Sequence, residues 1–536
     1  MHRVPSLPGN NFPAGHTSLM KQLEWMRARS AVAVLVPVLL FLAAVTWNRA
    51  QVFIPRFDGG VLVVLADGDC QSRMQRAATV AENPGTVVRA HTFENHPHGT
   101  VPHTTAPMDY LIAALGTVIR PFDVAGAWIS PLLGLATLVF LGYWARALDL
   151  RPRWPMLLLF AVSPALTHAF ALGRPDHQSL LVALTTVALA SNFALICTGR
   201  PAWAWTSGIA WGLALWVSWF EPLILLAAQE IARSLVRRGK SYPSAWRKAL
   251  LLAAGVALAT WALEGFRNPW PSDEVRTLFP GWAALLGELA RTDPRAMFTW
   301  TGWLLLPAPL LLGWEYWRRR DPLALVALIL LAAVTALTGW QARWSPWQAA
   351  IFCLALPWIL APLQKAWLIW IVFLAGLWPV AWAWDARLSP SSAARAKTQD
   401  AIMEAALVEQ TALFLRAQPR GGVLAPWWLS PALARQSGQP FVGGTSHQSL
   451  PGTADTARFF LSEDDAQAHG ILRDRRVLYV VSDDPERVIP TSAKLLGVAP
   501  PENPLISRLS RGRDLPSFLE PVFANQFFRV YKVIDE

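Results

Sequence analysis

Long apolar runs recur along the first 384 residues and are separated by short polar segments. Runs of roughly 16 to 24 residues predict membrane-spanning helices, since a helix of about 20 residues crosses the hydrocarbon core of a bilayer. We count eleven candidate spans, at 31–47, 124–145, 155–171, 179–197, 203–219, 222–236, 248–264, 300–317, 322–339, 347–363 and 366–384. The pattern predicts a polytopic α-helical membrane domain over 31–384, preceded by a short segment at 1–30.

Arg and Lys residues sort the connecting loops into two sets. Most of the loop Arg and Lys residues fall in 146–154, 198–202, 237–247, 318–321 and 364–365. Cytoplasmic loops carry such an excess, so these loops and the N-terminus are expected on the cytoplasmic side. The same alternation places on the outer side the loops 48–123, 172–178, 265–299 and 340–346 and everything after 385.

The tail at 385–536 has a different pattern. A helical stretch, AIMEAALVEQTALFLRAQ, is followed by the short β-like runs RRVLYVVSDD and FFRVYKVIDE, with Gly and Pro turns between them. Period-2 runs bounded by turn residues are typical of strands. The tail is therefore predicted to be a small α/β domain on the outer, periplasmic or extracytoplasmic side.

Composition supports a membrane protein and argues against a nucleic-acid-binding one. The 536 residues are 53% hydrophobic and only 15% charged, which is far from the composition of a soluble domain. The net charge is +11, but the basic residues punctuate short loops and form no basic patch on a soluble domain. We therefore expect the membrane, and not nucleic acid, among the partners.

Acidic and imidazole side chains gather in the loops predicted to lie outside. Asp67 and Asp69 flank a glycine in VLADGDC, just after the first span. Two carboxylates one residue apart can hold a divalent cation, and oxygen ligands suit Mg²⁺ or Mn²⁺. The same spacing also occurs in ordinary turns, and positive-inside sorting alone leaves outer loops less basic.

The first outer loop is also rich in histidine. His91, His96, His98 and His103 lie in HTFENHPHGTVPH, where Pro and Gly residues restrict the backbone. Imidazoles presented in this way could bind a metal. The alternative is that histidine serves there only as a neutral polar side chain.

Three further outer segments carry charges next to apolar runs. Arg174 and Asp176 lie at the end of a span in LGRPDHQSLL, where a charge is costly unless it is paired or hydrated. A functional site and a simple salt bridge between the two both fit. Glu288 in LLGEL is either a solvated helix residue or a site residue, and Arg343 in QARW is placed to meet a phosphate or carboxylate.

Taken in chain order, these motifs resemble the catalytic-subunit family of oligosaccharyltransferases, in its prokaryotic members, within the wider class of GT-C glycosyltransferases. The matching segments are DGDCQSRMQRAATVAENPG, HPHG, APMDYLIAALG, GRPDHQSL, LLGEL and QARW. The resemblance implies transfer of a glycan from a polyprenyl-phosphate or polyprenyl-diphosphate donor to a protein or glycolipid acceptor. It places the reaction at the outer face of a bacterial or archaeal plasma membrane.

The resemblance also implies a divalent metal, Mn²⁺ or Mg²⁺. Its ligands would be Asp69, Asp176, His177 and one imidazole of the first loop, for which His98 is preferred to His96. Asp67 and Arg174 would be close neighbours of this site.

Substrate contacts follow from the same resemblance. Glu288 would touch both metal and acceptor, and would act with the two acids in catalysis. Arg343 would meet the donor diphosphate or the acceptor, and Trp427 and Trp428 would contact the acceptor.

The chain departs from the family in two respects. The family reads the hydroxyl residue of an Asn-x-Ser/Thr acceptor with a Trp-Trp-Asp motif, whereas here Leu429 follows Trp427 and Trp428. Sequon reading is therefore in doubt. We also count fewer spans than the thirteen expected of the family.

Two other functions remain open from the sequence. A polyprenyl-phosphate-monosaccharide-dependent transferase acting on lipid or polysaccharide would share the spans and the first Asp motif. A transporter or flippase is the non-enzymatic alternative, but it should carry charges at mid-span positions, and here the charges gather at one face.

Overall fold

The computed structural model describes residues 35–47, 49, 51–56, 60–237, 244–268 and 270–534. The predicted cytoplasmic segment 1–30 lies outside the described residues.

Helices dominate the first part of the chain. In chain order they are α1 (Leu35–Trp47), α2 (Gly68–Glu82), α3 (Pro107–Val118), α4 (Phe122–Ala147), α5 (Trp154–Val162), α6 (Pro164–Ala169), α7 (His177–Thr198), α8 (Pro201–Val217), α9 (Phe220–Arg237), α10 (Ser244–Leu263), α11 (Asp273–Ala283), α12 (Pro294–Thr301), α13 (Ala308–Arg319), α14 (Pro322–Trp340), α15 (Ser345–Leu360), α16 (Ala366–Gly376) and α17 (Trp378–Leu388). A two-stranded antiparallel ribbon, β1 (Phe53–Pro55) and β2 (Val61–Val63), follows α1.

Every predicted span coincides with a helix, but only some of these helices are long. Among the described residues, α4, α7, α10 and α14 are long and apolar enough to cross a membrane, and α16 with α17 forms a fifth candidate bent by 50°. The other helices at predicted spans have 18 residues or fewer. The span at 155–171 is divided into α5 and α6 because Pro164 begins a new helix after Ser163, and the one at 300–317 is interrupted at Gly302 and Pro307.

The apolar core of this part runs through α7 and α15. All residues from Pro346 to Leu360 are buried, and a helix that is apolar all round lies inside its bundle. α7 begins at its N-cap Asp176 and ends at Gly199, which adopts a left-handed conformation with φ +63°. The start of α7 is thereby fixed at the edge of the buried core.

The C-terminal residues fold around a mixed sheet. The long helix α18 (Ser392–Arg416) leads into β3 (Gly422–Leu424), α19 (Ser430–Ser437), α20 (Leu450–Leu461), α21 (Asp465–Asp474), β4 (Val477–Ser482), α22 (Pro485–Leu496), α23 (Leu505–Arg511), β5 (Leu519–Ala524) and β6 (Arg529–Val533). The strand order is β3-β4-β6-β5, with only the β3–β4 pair parallel. The two runs predicted as strands form β4 and β6. We refer to 392–534 as the C-terminal unit.

Charged and aromatic contacts hold the C-terminal unit against the helices before it. Arg435 of α19 donates to both carboxylate oxygens of Asp123 in α4, at 3.0 and 2.9 Å, and to Gln71 of α2 at 2.6 Å. Trp282 of α11 packs edge-on against Trp427, with ring centroids 4.5 Å apart. Helices α2, α4 and α11 therefore all contact this unit.

Replacing Arg435 with Ala should loosen this contact. Hydrogen bonds to charged groups contribute about 1.5–3 kcal/mol each, and the Arg435 side chain is largely buried. We expect a lower melting temperature in detergent and faster proteolysis between α17 and α18. Arg276→Ala is the control, because the Arg276–Asp273 pair is exposed and should contribute little; equal effects of the two changes would contradict the assignment.

Candidate functional site

Asp67 and Asp69 stand at the start of α2. Asp67 is its N-cap and accepts a hydrogen bond from the Cys70 amide at 2.9 Å, while Asp69 lies in the first turn. Acidic residues are favoured at this position because the helix dipole is positive at its N-terminus. The N-terminus of α2 therefore fixes both carboxylates next to each other.

The segment between α6 and α7 brings a third carboxylate to the same place. The Ala66 amide donates to the Gly173 carbonyl at 3.0 Å, so the chain before α2 runs beside the chain before α7. Gly173 has φ +73° and a Cβ there would lie 2.8 Å from Val52, so glycine is needed for this approach. Asp176 then caps α7, and its Oδ1 lies 2.7 Å from Nδ1 of His177.

Arg174 lies among the acids. One guanidinium nitrogen is 3.4 Å from Asp176 Oδ2 and 3.8 Å from Asp67 Oδ2, and another is 2.8 Å from Nε2 of His168. The salt bridge and the functional site considered for Arg174 and Asp176 are thus parts of one arrangement. Arg174 partly neutralises two of the three carboxylates.

The surroundings of Asp69 disfavour its ionised form. The side chain is solvent-accessible but closely surrounded by protein, as a side chain lining a crevice is. This crowding, together with the negative charges of Asp67 and Asp176, raises its pKa to about 7, although a hydrogen bond from Thr445 acts in the opposite direction. A positive charge close to Asp69 would therefore stabilise its ionised form.

Two features decide whether these residues can bind a metal ion: the ligand atoms that they supply and the arrangement of those atoms. Asp67, Asp69 and Asp176 supply the carboxylate oxygens that Mg²⁺ and Mn²⁺ prefer, and a cation bound there would offset the burial and the neighbouring charges that raise the pKa of Asp69. Within the described ranges, however, no group of three or more His, Cys, Asp or Glu side chains is arranged to hold a metal ion. The donor set fits a divalent cation, although its side chains are not preorganised around one.

The structure brings Glu288 next to these acids. Glu288 lies in a short 3-10 turn, Gly287–Leu289, and its Oε2 accepts a hydrogen bond from Nε2 of Gln178 in the first turn of α7, at 2.9 Å. The Ala342 amide donates to the Ala290 carbonyl at 2.9 Å, which ties this turn to the turn carrying Arg343. The two outer loops thus meet beside the start of α7.

Arg343 is engaged by a buried carboxylate. Its guanidinium pairs with Oε1 of Glu221, whose other oxygen accepts from the Ser218 hydroxyl at 2.7 Å. The guanidinium carbon lies 5.9 Å from the centre of the Phe220 ring. Arg343 is therefore held in place at the outer end of α9.

The first-loop histidines separate into different places. His98 is exposed, and His96 lies against Gly422 of β3, where any side chain at 422 would meet the imidazole. His103, in contrast, has its ring centroid 6.3 Å from that of His177. His103 is thus the first-loop imidazole that lies beside His177, whereas the preferred candidate ligand, His98, is exposed.

The two tryptophans lie in the C-terminal unit, facing α11. Trp428 donates through Nε1 to Asp483 Oδ2 at 3.1 Å, and the Arg487 guanidinium lies 4.7 Å from the centre of its ring. The space beside Trp427 and Trp428 is a cavity of only about 10 Å³, closed by side chains of α20 and α22. Leu429 is buried at 4% exposure.

Thr445 and His447 are site residues that the sequence did not indicate. The Thr445 hydroxyl donates to the Asp69 carboxylate, and the His447 ring stacks on His103. Both lie in a loop of the C-terminal unit, in a segment without recognisable periodicity or motif. The clustering of histidine in the first loop was the only sequence signal for His103.

Replacing Gln178 with Ala should release the Glu288 turn. The Gln178–Glu288 hydrogen bond joins an outer loop to a buried helix, and its loss removes that anchor. We expect faster amide hydrogen exchange at Gly287–Leu289, with exchange in α7 unchanged. A Gln75→Ala variant, on α2, is the control and should leave the exchange rate of the turn unchanged. If the turn exchanges as slowly in Gln178→Ala as in the control, Gln178 does not anchor it.

Comparisons with known proteins show a shared fold. The structure matches the apo crystal structure of the Archaeoglobus fulgidus oligosaccharyltransferase with a TM-score of 0.63 and 16% identity, over 85% of this chain and 69% of that one. It matches AglB of the same organism, solved with an inhibitory peptide and a dolichol-phosphate, with a TM-score of 0.64 and 13% identity, over 91% and 73% of the chains. The oligosaccharyltransferase of the first match has also been solved in complex with zinc and sulfate.

A third match is more distant. The mycobacterial arabinofuranosyltransferase AftD superposes with a TM-score of 0.53 and 16% identity, over 95% of this chain and 40% of that one. No family model and no curated protein matches the sequence. The chain has an oligosaccharyltransferase-like GT-C fold, and its structural neighbours are glycosyltransferases.

Proposed function

We propose that this protein is a membrane glycosyltransferase of the oligosaccharyltransferase type. It transfers a glycan from a polyprenyl-phosphate-linked or polyprenyl-diphosphate-linked donor to an acceptor at the outer membrane face. The observation that carries the proposal is the convergence of Asp67, Asp69 and Asp176 at the starts of α2 and α7. This acidic site lies in a fold shared with enzymes that use lipid-linked donors.

The acids are proposed to bind a divalent cation, Mn²⁺ or Mg²⁺. Asp69 and Asp176 would hold it, with His177 as a further ligand. A first-loop imidazole would come from His103, whose ring lies near that of His177, and not from His98. When bound, the cation would stabilise the negative charge that develops on the leaving phosphate. The zinc complex of the archaeal neighbour supports metal use in this fold.

The remaining side chains have roles in positioning and charge. Glu288, fixed by Gln178, can accept a hydrogen bond from an acceptor group beside Asp176. Arg343 presents a fixed guanidinium on the same side, where an anionic leaving group would be stabilised. Arg174 holds Asp67 and Asp176 in position as their counter-ion.

The proposed orientation follows from the positions of the charges. The acidic site and the C-terminal unit lie at the same ends of α4 and α7, whereas Arg146 and Arg200 lie at the opposite ends. With basic loops inside, the site and the proposed domain at 385–536 lie outside and the N-terminus lies in the cytoplasm. A donor anchored in the bilayer can then reach the acids laterally.

The acceptor is the least constrained part of the proposal. The cavity beside Trp427 and Trp428 is small, about 10 Å³. The likeness to AftD supports a second candidate, a transferase acting on a lipid or polysaccharide acceptor. Both candidates use the same donor chemistry and the same acids.

Asp69→Ala and Asp176→Ala test the acidic site. Each should reduce Mn²⁺-dependent turnover of a lipid-linked glycan by on the order of 100-fold or more, because each removes a proposed ligand of the cation that would stabilise the developing charge. Turnover is measured with the purified protein in detergent. Asp149→Asn, whose carboxylate is 79% exposed in a distant loop, is the matched control; full activity in both alanine variants would exclude the site.

A pair of peptides tests the acceptor. A site built to bind a hydroxyl rejects an analogue without it by about 10⁴-fold or more. Because the cavity beside Trp427 and Trp428 is small and Leu429 offers no side-chain hydrogen-bonding group, we expect Asn-Ala-Thr and Asn-Ala-Val peptides to differ in turnover by less than about tenfold. A strong preference for the threonine peptide would show that the cavity opens and that a sequon is read.

A further inference from the structure

A loop of the C-terminal unit, Gly443–Ser449, reaches into the acidic site. The His447 ring stacks on His103, with centroids 4.7 Å apart and an angle of 18° between the planes. The His103 ring in turn lies 6.3 Å from that of His177. On its other side His447 meets the edge of Phe279 in α11, at 5.4 Å. His447 therefore lies between the α7 start and the outer loop that precedes Glu288.

The charges that act on the stacked rings favour an anion. His103 is influenced by His177 and Arg73, and His447 by His177 and Arg343. An imidazole carries at least one ring N–H, so His447 can donate a hydrogen bond to an anion. The His447 ring lies close enough to Arg343 and His177 for their charges to act on it, on a path that a phosphate reaching from the acids to Arg343 would follow.

A chain of buried charged groups holds the loop in this position. The Ser446 hydroxyl donates to Glu94 Oε1 at 2.6 Å, and the same oxygen lies 2.6 Å from Nδ1 of His91. Nε2 of His91 is 2.9 Å from Arg76, which pairs with Asp109 at 2.7 Å. All five side chains are less than 9% exposed, so the chain is sheltered from water and links α3 to the residue before His447.

We propose that His447 binds a phosphate oxygen of the lipid-linked donor through its ring N–H, and that Glu94 is a positioning residue that fixes His447 through Ser446. This inference rests on the proposed function and assigns a donor-binding residue to the C-terminal unit. It requires no bond to form or break. The C-terminal unit is then part of the donor site as well as a neighbour of the acceptor.

Binding of two lipids tests the proposal directly. The full-length protein in detergent is titrated with a polyprenyl phosphate and with the matching polyprenol, and tryptophan fluorescence reports binding. His447→Ala should weaken binding of the phosphate about tenfold, the loss expected for a hydrogen bond to a charged group, and leave polyprenol binding unchanged. His447→Gln keeps an N–H donor and should recover part of the affinity.

Two further variants separate positioning from packing. Glu94→Gln keeps the size of the side chain but removes its charge; it should raise the KM for the donor with a smaller change in kcat. His469→Ala is the control, because His469 also stacks on an aromatic ring of the C-terminal unit, Phe518, at 4.6 Å. Its binding of polyprenyl phosphate should equal that of the unaltered protein.

The outcomes distinguish the two proposals. If His447→Ala binds the phosphate as tightly as the unaltered protein, or if His469→Ala loses as much affinity, the role of His447 is wrong while the proposed function stands. If Glu94→Gln leaves the donor KM unchanged, the positioning role is wrong. If the unaltered protein binds polyprenol and polyprenyl phosphate equally, both proposals fail.

Discussion

The repulsion between three carboxylates is the constraint on which the rest of the site depends. Asp67, Asp69 and Asp176 would separate if their backbones were free, because like charges at close range disfavour ionisation. Two helix N-termini, the backbone contact between Ala66 and Gly173, and the Arg174 guanidinium hold them together. Burial and the charges of Asp67 and Asp176 still raise the pKa of Asp69. This is the physical reason for expecting a cation there.

The C-terminal unit contributes a hydrogen-bond donor to this group of carboxylates. Thr445 donates to Asp69, and the loop that carries it is tied to the first outer loop through Glu94. Arg475 adds a second tie, donating to Asn95 at 3.0 Å. The acids and the C-terminal unit are therefore coupled: a shift of the unit would change the hydrogen bonding of Asp69.

The sequence could predict those features that depend on local pattern. Apolar runs located the helices, and the order of the motifs pointed to Asp69, Asp176 and Glu288, which the structure brings together. It could not predict where the spans at 155–171 and 300–317 break, because a proline or glycine inside an apolar run is compatible with either a continuous or a divided helix.

The histidines show a different limit. Which first-loop histidine lies beside His177 depends on the path of a loop that turns at Asn95 and Gly99, both at positive φ. His447 belongs to a distant part of the chain and reaches the site only through tertiary contacts. Composition and spacing along the chain carry no information about such contacts.

The substitution at position 429 shows how sequence and packing change together. Leu429 is buried in an apolar cluster with Ala425 and Leu433. A carboxylate there would be costly without a partner, since burial of an unpaired charge is strongly unfavourable. The nearby Trp428 already donates its N–H to Asp483. Leu429 is therefore part of an apolar core, and an aspartate placed there alone would destabilise the unit.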